Sequence, residues 1–303
     1  MGGVRLLAIG EVMAEIRPAA EGGFVLGFAG DTYNTAVYAA REIRHPGNVG
    51  YVTRIGREPL STALLEQAAA EGLDVGHIAV DDDRNIGIYA VATDAHGERS
   101  FSYWRSQSAA RRLFAVEETA LFMPPAEIIY LSGITLAILT PAARSRLFDR
   151  LAELRETNGT KVAFDSNFRP ALWEDPAIAR ASMDRMWDLT DIALPSMDDE
   201  MAISGVDAES AVIDRFAGRT WDGVAIKRGV RGPVSPFIAP SDMPDFPPAE
   251  AVVDTTAAGD SFNAGYLAAF LNGAGEIDRM RAGHRLAARV VGSPGAIMPR
   301  DAG

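Results

Sequence analysis

The chain is 303 residues long and 48% hydrophobic, has no cysteine, and carries 29 Lys+Arg against 41 Asp+Glu, a formal charge of −12. These figures exclude disorder along the whole length, disulfides, a thiol nucleophile and a thiolate metal site. They also argue against nucleic acid as a partner, because the longest basic cluster, Lys227-Arg228 with Arg231, is too short to follow a phosphate backbone. The length suits one large α/β domain, or one such domain with a small insertion. At the N-terminus, Val4 and the apolar run 6–9 are too short for a secretory or membrane-spanning segment and read as a buried strand. A cytoplasmic protein without a membrane partner is the expectation.

In chain order, short apolar runs recur at residues 6–9, 50–53, 128–131, 162–164, 192–194 and 224–226. They do not alternate, as expected for strands buried on both faces of a parallel sheet. Helical stretches lie between them: 32–44 following Asp31, 60–71 with Leu60, Leu64 and Ala68 in one stripe, and 141–156 with Leu147, Leu151 and Leu154 in another. Strand–helix alternation of this length implies right-handed βαβ units in a three-layer α/β sandwich. Two places break the pattern. Residues 11–17 and 24–28, joined by the Gly22-Gly23 turn, alternate; so do 86–93 and 99–105, joined by Asp94-Ala95-His96-Gly97. Alternation marks strands with one wet face. The expectation is a small antiparallel β lid, 12–30 and 84–105, set into a core of 1–11, 31–83 and 106–303.

The most specific stretch runs from Val253 to Gly265. Phe262, Tyr266 and Phe270 repeat at helical spacing, which predicts a helix over 258–271. Ala257, Ala258 and Gly259 stand at its start, where backbone N–H groups lack partners and small side chains let an anion approach. Asp260 stands beside that site. An acid in a helix's first turn is by itself most often a dipole partner; next to an anion pocket it suits a general base that takes a proton from an attacking hydroxyl. There is no Gly-Lys dipeptide and no G-x-G-x-x-G, so neither a P-loop nor a dinucleotide fingerprint competes for the phosphate.

Asp254-Thr255-Thr256-Ala257-Ala258-Gly259-Asp260-Ser261-Phe262 resembles the C-terminal signature of the ribokinase-like (PfkB) carbohydrate kinases. Gly27-Phe28-Ala29-Gly30-Asp31-Thr32-Tyr33-Asn34-Thr35-Ala36 resembles their N-terminal signature, and the likeness covers essentially the whole chain. It implies a ribokinase-like sandwich with ATP and Mg²⁺ as cofactors. Asp260 would deprotonate the sugar hydroxyl, and the amides of Ala257, Ala258, Gly259 and Asp260 would form the anion hole. Gly30, Asp31 and Asn34 would hold sugar hydroxyls, with Glu15 near the place where relatives carry an Asp.

On the nucleotide side, Lys227, Gly229 and Gly232 would form the phosphate loop together with Ser196 and Gly259. Ser196 stands where the family shows the Asn of an Asn-x-x-Glu motif, and Asp199 or Glu200 replaces its Glu, acting on the metal through water. Residues 283–287 and 292–295 would lie near the adenine, and a monovalent cation near Asp254. Lids of this family pair, which implies a homo-oligomer.

The substrate is argued from two arginines. Phe101, Tyr103 and Arg105 share one strand face, and Arg169 follows a buried strand. Two such arginines on an acidic protein argue for an anionic substrate, since arginine grips carboxylates bidentately. Tyr103-Trp104-Arg105, Asn167-Phe168-Arg169-Pro170-Ala171-Leu172-Trp173 and Leu194-Pro195-Ser196-Met197-Asp198-Asp199-Glu200 resemble the 2-keto-3-deoxygluconate kinase branch. That likeness implies phosphorylation of the 6-hydroxyl of a keto sugar acid, with Arg105 and Arg169 on its carboxylate and Tyr89 and Tyr103 lining the pocket. The alternative is a kinase for a neutral sugar or nucleoside such as fructose or ribose. A sensor that has lost turnover is disfavoured by the presence of Asp260 and Gly259.

Overall fold

The computed structural model describes residues 3–19, 22–43, 45, 47–93, 99–115 and 123–300. The apolar runs become β1 (Leu6–Ile9), β4 (Val49–Ile55), β8 (Ile128–Ser132), β9 (Lys161–Asp165), β10 (Ile192–Ala193) and β11 (Gly223–Val224). With β5 (Ile78–Val80) they form one parallel sheet in the order β11-β10-β9-β8-β1-β4-β5. Strand β5 escaped the sequence reading because three residues on a half-wet sheet edge carry too little pattern.

Alternate side chains leave the sheet on opposite faces, so Leu6 and Ala8 enter one core while Leu7 and Ile9 enter the other. The first core is closed by α1 (Asp31–Ile43), α2 (Pro59–Ala70), α8 (Ala258–Leu271) and α9 (Glu276–Val290). The second is closed by α3 (Gly133–Ile138), α4 (Pro141–Asn158), α5 (Pro176–Leu189), α6 (Met197–Ser204) and α7 (Glu209–Ala217). Helix α4 shows why the boundaries fall where they do. Thr140 accepts the Ala143 N–H, Pro141 occupies the first turn, and Gly159 at φ 67° ends the helix. Among the described residues no helix is long and apolar enough to cross a membrane.

The lid strands are β2 (Met13–Pro18), β3 (Phe24–Ala29), β6 (Gly87–Thr93) and β7 (Arg99–Trp104), in the order β3-β2-β6-β7. The sheet is mixed, which corrects the antiparallel expectation: β2–β3 and β6–β7 are antiparallel, whereas β2 pairs with β6 in parallel. The reason is topological. Strand β2 follows the carboxyl end of β1, and β6 follows that of β5; β1 and β5 run in the same direction, so both insertions leave the core along one direction. The turn at 94–97 lies outside the described residues.

The chain builds outward from β1 through β4 to β5, then crosses to β8 and continues through β9 and β10 to β11. The reversal falls between β1 and β8, and ligands of open α/β sheets bind beyond the carboxyl ends at such a point. The lid hangs over that edge.

Candidate active site

Glycines let the backbone converge at the switch point. A methyl group on Gly10, just past β1, would sit 2.2 Å from Thr32 Oγ1, and one on Gly30 would sit 2.2 Å from the Glu11 carbonyl oxygen. The start of α1 can therefore cross directly over the exit of β1. That crossing places Asp31 in the first turn, where it accepts hydrogen bonds from Asn167 Nδ2 (2.7 Å) and the Ser132 hydroxyl. Asn34, one turn on, donates from Nδ2 to Asp260 Oδ2 at 2.8 Å, and Thr35 Oγ1 donates to the Asp260 carbonyl at 3.1 Å. Helices α1 and α8 are thus joined at the acid expected to be the base.

Helix α8 is entered through Ala257 at φ 61°, the residue just before it, and no side chain caps it. The Ala258 amide is taken by the Thr255 carbonyl at 3.2 Å. This corrects the four-amide expectation: among the described residues the open amides are those of Ala257, Gly259 and Asp260. Below them lies Lys227, whose Nζ donates to Asp165 Oδ2 (2.6 Å) and Asn263 Oδ1 (3.1 Å) and would stand 3.7 Å from a methyl on Gly259. Asn263 also donates to Asp165 (2.6 Å) and Tyr130 (3.0 Å). Asp260 sits low in this cleft. Desolvation, then the charge of Asp31, pushes its carboxyl well above the usual range, with Asp165 adding and with Asn34 and Lys227 opposing.

The ends of β10 and β11 continue side by side, so Ser196 pairs with Lys227, and the Ser196 amide donates to Ser166 Oγ at 3.0 Å. Gly229 lies in an exposed turn beyond (φ 57°), whereas a methyl on Gly232 would collide with Phe246 Cβ at 2.6 Å, so Gly232 also serves packing. Glu200 is fully buried and accepts from Arg215 Nη1 at 2.7 Å, with burial pushing its carboxyl up to about 7. It does not face the cleft, which corrects its place among the metal-organising acids. Asp199 does stand beside the site: Ser166 Oγ donates to it at 3.4 Å and Arg169 lies 3.8 Å away. Among the described residues no three His, Asp or Glu side chains gather into a metal cage.

Asp254 accepts from the amides of Thr256 (2.8 Å) and Gly295 (2.6 Å), tying the two loops before α8 and after α9. Gly283 falls within α9, where a methyl group would meet the Phe262 carbonyl at 2.7 Å. Gly283 thus serves the close packing of α9 against α8, while the neighbouring His284 turns to the Pro247 carbonyl.

On the lid, one row runs Gly27, Glu15, Tyr89, Tyr103 across the strands. The buried Tyr89 hydroxyl donates to Glu15 Oε1 at 2.5 Å, and its ring lies 5.9 Å from that of Tyr103. Arg105 follows β7 and is ion-paired with the buried Glu11, while Arg169 is half exposed beside Asp199. Each of the two arginines thus stands beside an acid of the protein. Asp165, Asn167, Asn263 and Glu11 join the site without having been among the residues expected there. Asp165 and Glu11 carried a usable signal, an acid just past a buried strand; Asn263 carried none.

A cleft of this kind defines a class, the lidded α/β phosphotransferases, in which a helix start receives a migrating anion and an adjoining acid takes the proton. The family model described as pfkB family carbohydrate kinase matches residues 5–302, and the chain belongs to that family. It is 39% identical over 307 residues to the 2-dehydro-3-deoxygluconokinase of Escherichia coli strain K12, covering 98% of each chain. It is 32% identical over 276 residues to the fructokinase of Klebsiella pneumoniae, covering 87% of this chain and 83% of that one. Among solved structures, the Vibrio cholerae O395 fructokinase with fructose, ADP and calcium bound superposes with a TM-score of 0.81 at 22% identity, covering 97% and 94%.

Proposed function

We propose that this chain phosphorylates the 6-hydroxyl of 2-keto-3-deoxygluconate with ATP. The observation that carries the reading is the 39% identity to a kinase of that substrate across 98% of both chains, against 32% to a fructokinase. In this reading Asp260 removes the proton from the hydroxyl as the phosphoryl group migrates to it, and the raised affinity of that carboxyl for a proton suits the task. The open amides of Ala257, Gly259 and Asp260 receive the phosphoryl oxygens, and Lys227 neutralises charge from below. Gly30, Asp31 and Asn34 meet sugar hydroxyls with Glu15, while Tyr89 and Tyr103 form the pocket wall. Arg105 and Arg169 take the carboxylate; the loose 3.8 Å pairing of Arg169 with Asp199 leaves it able to turn.

Ser196, Lys227, Gly229, Gly232 and Gly259 serve the nucleotide phosphates. Mg²⁺ keeps several waters and binds through one or two carboxylates plus phosphates, so a site without a three-acid cage fits it. Asp199 would hold it through water, and the ion would neutralise phosphate charge. A monovalent cation near Asp254 belongs to the same reading, as do a lid-paired homo-oligomer and a cytosolic setting. ATP-coupled turnover on a panel of 2-keto-3-deoxygluconate, its galactonate epimer, fructose, ribose and adenosine tests the proposal. Only the keto acids are expected to turn over well, and Arg105→Ala should raise the keto-acid KM about a hundredfold, since a buried charge loses its partner. An unchanged KM would instead favour a neutral sugar.

A further inference from the structure

Arg105 is not free to await a substrate. Its Nη2 donates to Glu11 Oε2; the arginine side chain is 12% exposed and the glutamate 1%. Two buried polar atoms of the pair, Arg105 Nε and Glu11 Oε1, have no partner among the described residues. The space is reserved for the pair: a methyl on Gly87 of β6 would lie 3.1 Å from both Glu11 Oε1 and Arg105 Cβ, and 2.9 Å from Met13 Cγ. Glu11 is itself fixed from behind, because Gly30 at the entry to α1 packs onto its carbonyl.

We infer that Glu11 is a positioning residue for substrate specificity: it holds the Arg105 guanidinium so that the remaining donors meet the carboxylate of the sugar acid. The physical need is specific to this cleft. Asp31, Asp165 and Asp260 surround the reacting centre, and a long arginine without a dedicated anchor would pair with one of them. Glu11 is the anchor that takes one edge of the fork and keeps it away from the base. The inference rests on the keto-acid reading.

A kinetic double-mutant cycle tests it, using Glu11→Ala, Arg105→Ala and the double variant, with keto acid and ATP varied separately. Glu11→Ala is expected to raise the keto-acid KM about tenfold, with kcat and the ATP KM within about twofold. In the Arg105→Ala background the same change should add less than about twofold, because the residue acts through Arg105. Glu11→Gln, which keeps an acceptor oxygen for Arg105, should recover most of the loss. Effects of the two single changes that multiply, or a keto-acid KM and an ATP KM that move together, would overturn the inference. If Glu11→Ala does not fold, Gly87→Ala displaces the pair with both charges present: a raised keto-acid KM supports the inference and an unchanged one overturns it. Failure of Arg105→Ala alone to move the keto-acid KM is the separate result that defeats the parent reading.

Discussion

Asp260 sits low in the cleft, close to two other carboxylates and one ammonium, and that setting decides what its removal should do. Asp260→Asn keeps the shape and the Asn34 contact but cannot accept the proton. Turnover should fall about a thousandfold with both KM values nearly unchanged, as measured by steady-state kinetics. The pH dependence follows from the direction of the shift. The base works only when deprotonated, so kcat/KM should be low in acid, rise through the elevated pKa of Asp260 and level off above it. An acid limb that persists in Asp260→Asn would show that another group is responsible. Stability runs the opposite way. The folded state binds this proton more tightly than the unfolded chain, so the contribution is full below the ordinary carboxylate range and is lost as pH rises through the raised value. Denaturant melts should show Asp260→Asn gaining on the parent protein between about pH 4 and about pH 8. At this scale the sequence singled out Asp260, Asp31, Asn34 and Lys227, because each sits in a recognisable local motif. Asn263 was not legible, since its partners lie on other elements, and Glu11 was legible only as an acid just past a strand, not as the partner of Arg105.

The start of α8 is the element on which the site depends. Ala257, the residue just before the helix, adopts a left-handed conformation at φ 61° that suits glycine. Ala257→Gly should relieve the strain and stabilise the protein by about 1 kcal/mol, partly offset by a more flexible unfolded chain. Thermal melting would check this; a lower Tm would mean that the alanine methyl contributes packing that outweighs the strain. The position of α8 in turn depends on its crossing with α9, where Gly265 and Gly283 allow backbone to meet backbone. Periodicity foretold the extent of α8, Ala258–Leu271, because its apolar spacing is local. It did not separate mixed from antiparallel pairing in the lid, because alternation within a strand carries no information about the direction of its neighbour.

For the whole molecule, the lid presents two unlike faces. The face toward the cleft carries Glu15, Tyr89 and Tyr103, whereas Phe24, Leu26 and Trp104 lie on the opposite face at 76%, 50% and 62% exposure. Large apolar side chains left to water on one sheet face favour pairing with another copy. Leu26→Glu with Trp104→Glu should shift sedimentation from dimer to monomer while leaving the melting of the core near that of the parent; a parent chain that already sediments as a monomer would remove the idea.

What the sequence determined by itself was local: the buried runs, the helix starts, the open amides beside an acid, and hence the class of chemistry, since each depends on residues within a turn or a strand of one another. Tertiary structure decided what depends on distant segments meeting. It directed Glu200 to Arg215 rather than to a metal, gave Arg105 to Glu11, and joined β2 to β6 in parallel. Those outcomes turn on which charges share a low-dielectric space and on the direction in which the chain re-enters the sheet, neither of which is written in the spacing of residues along it.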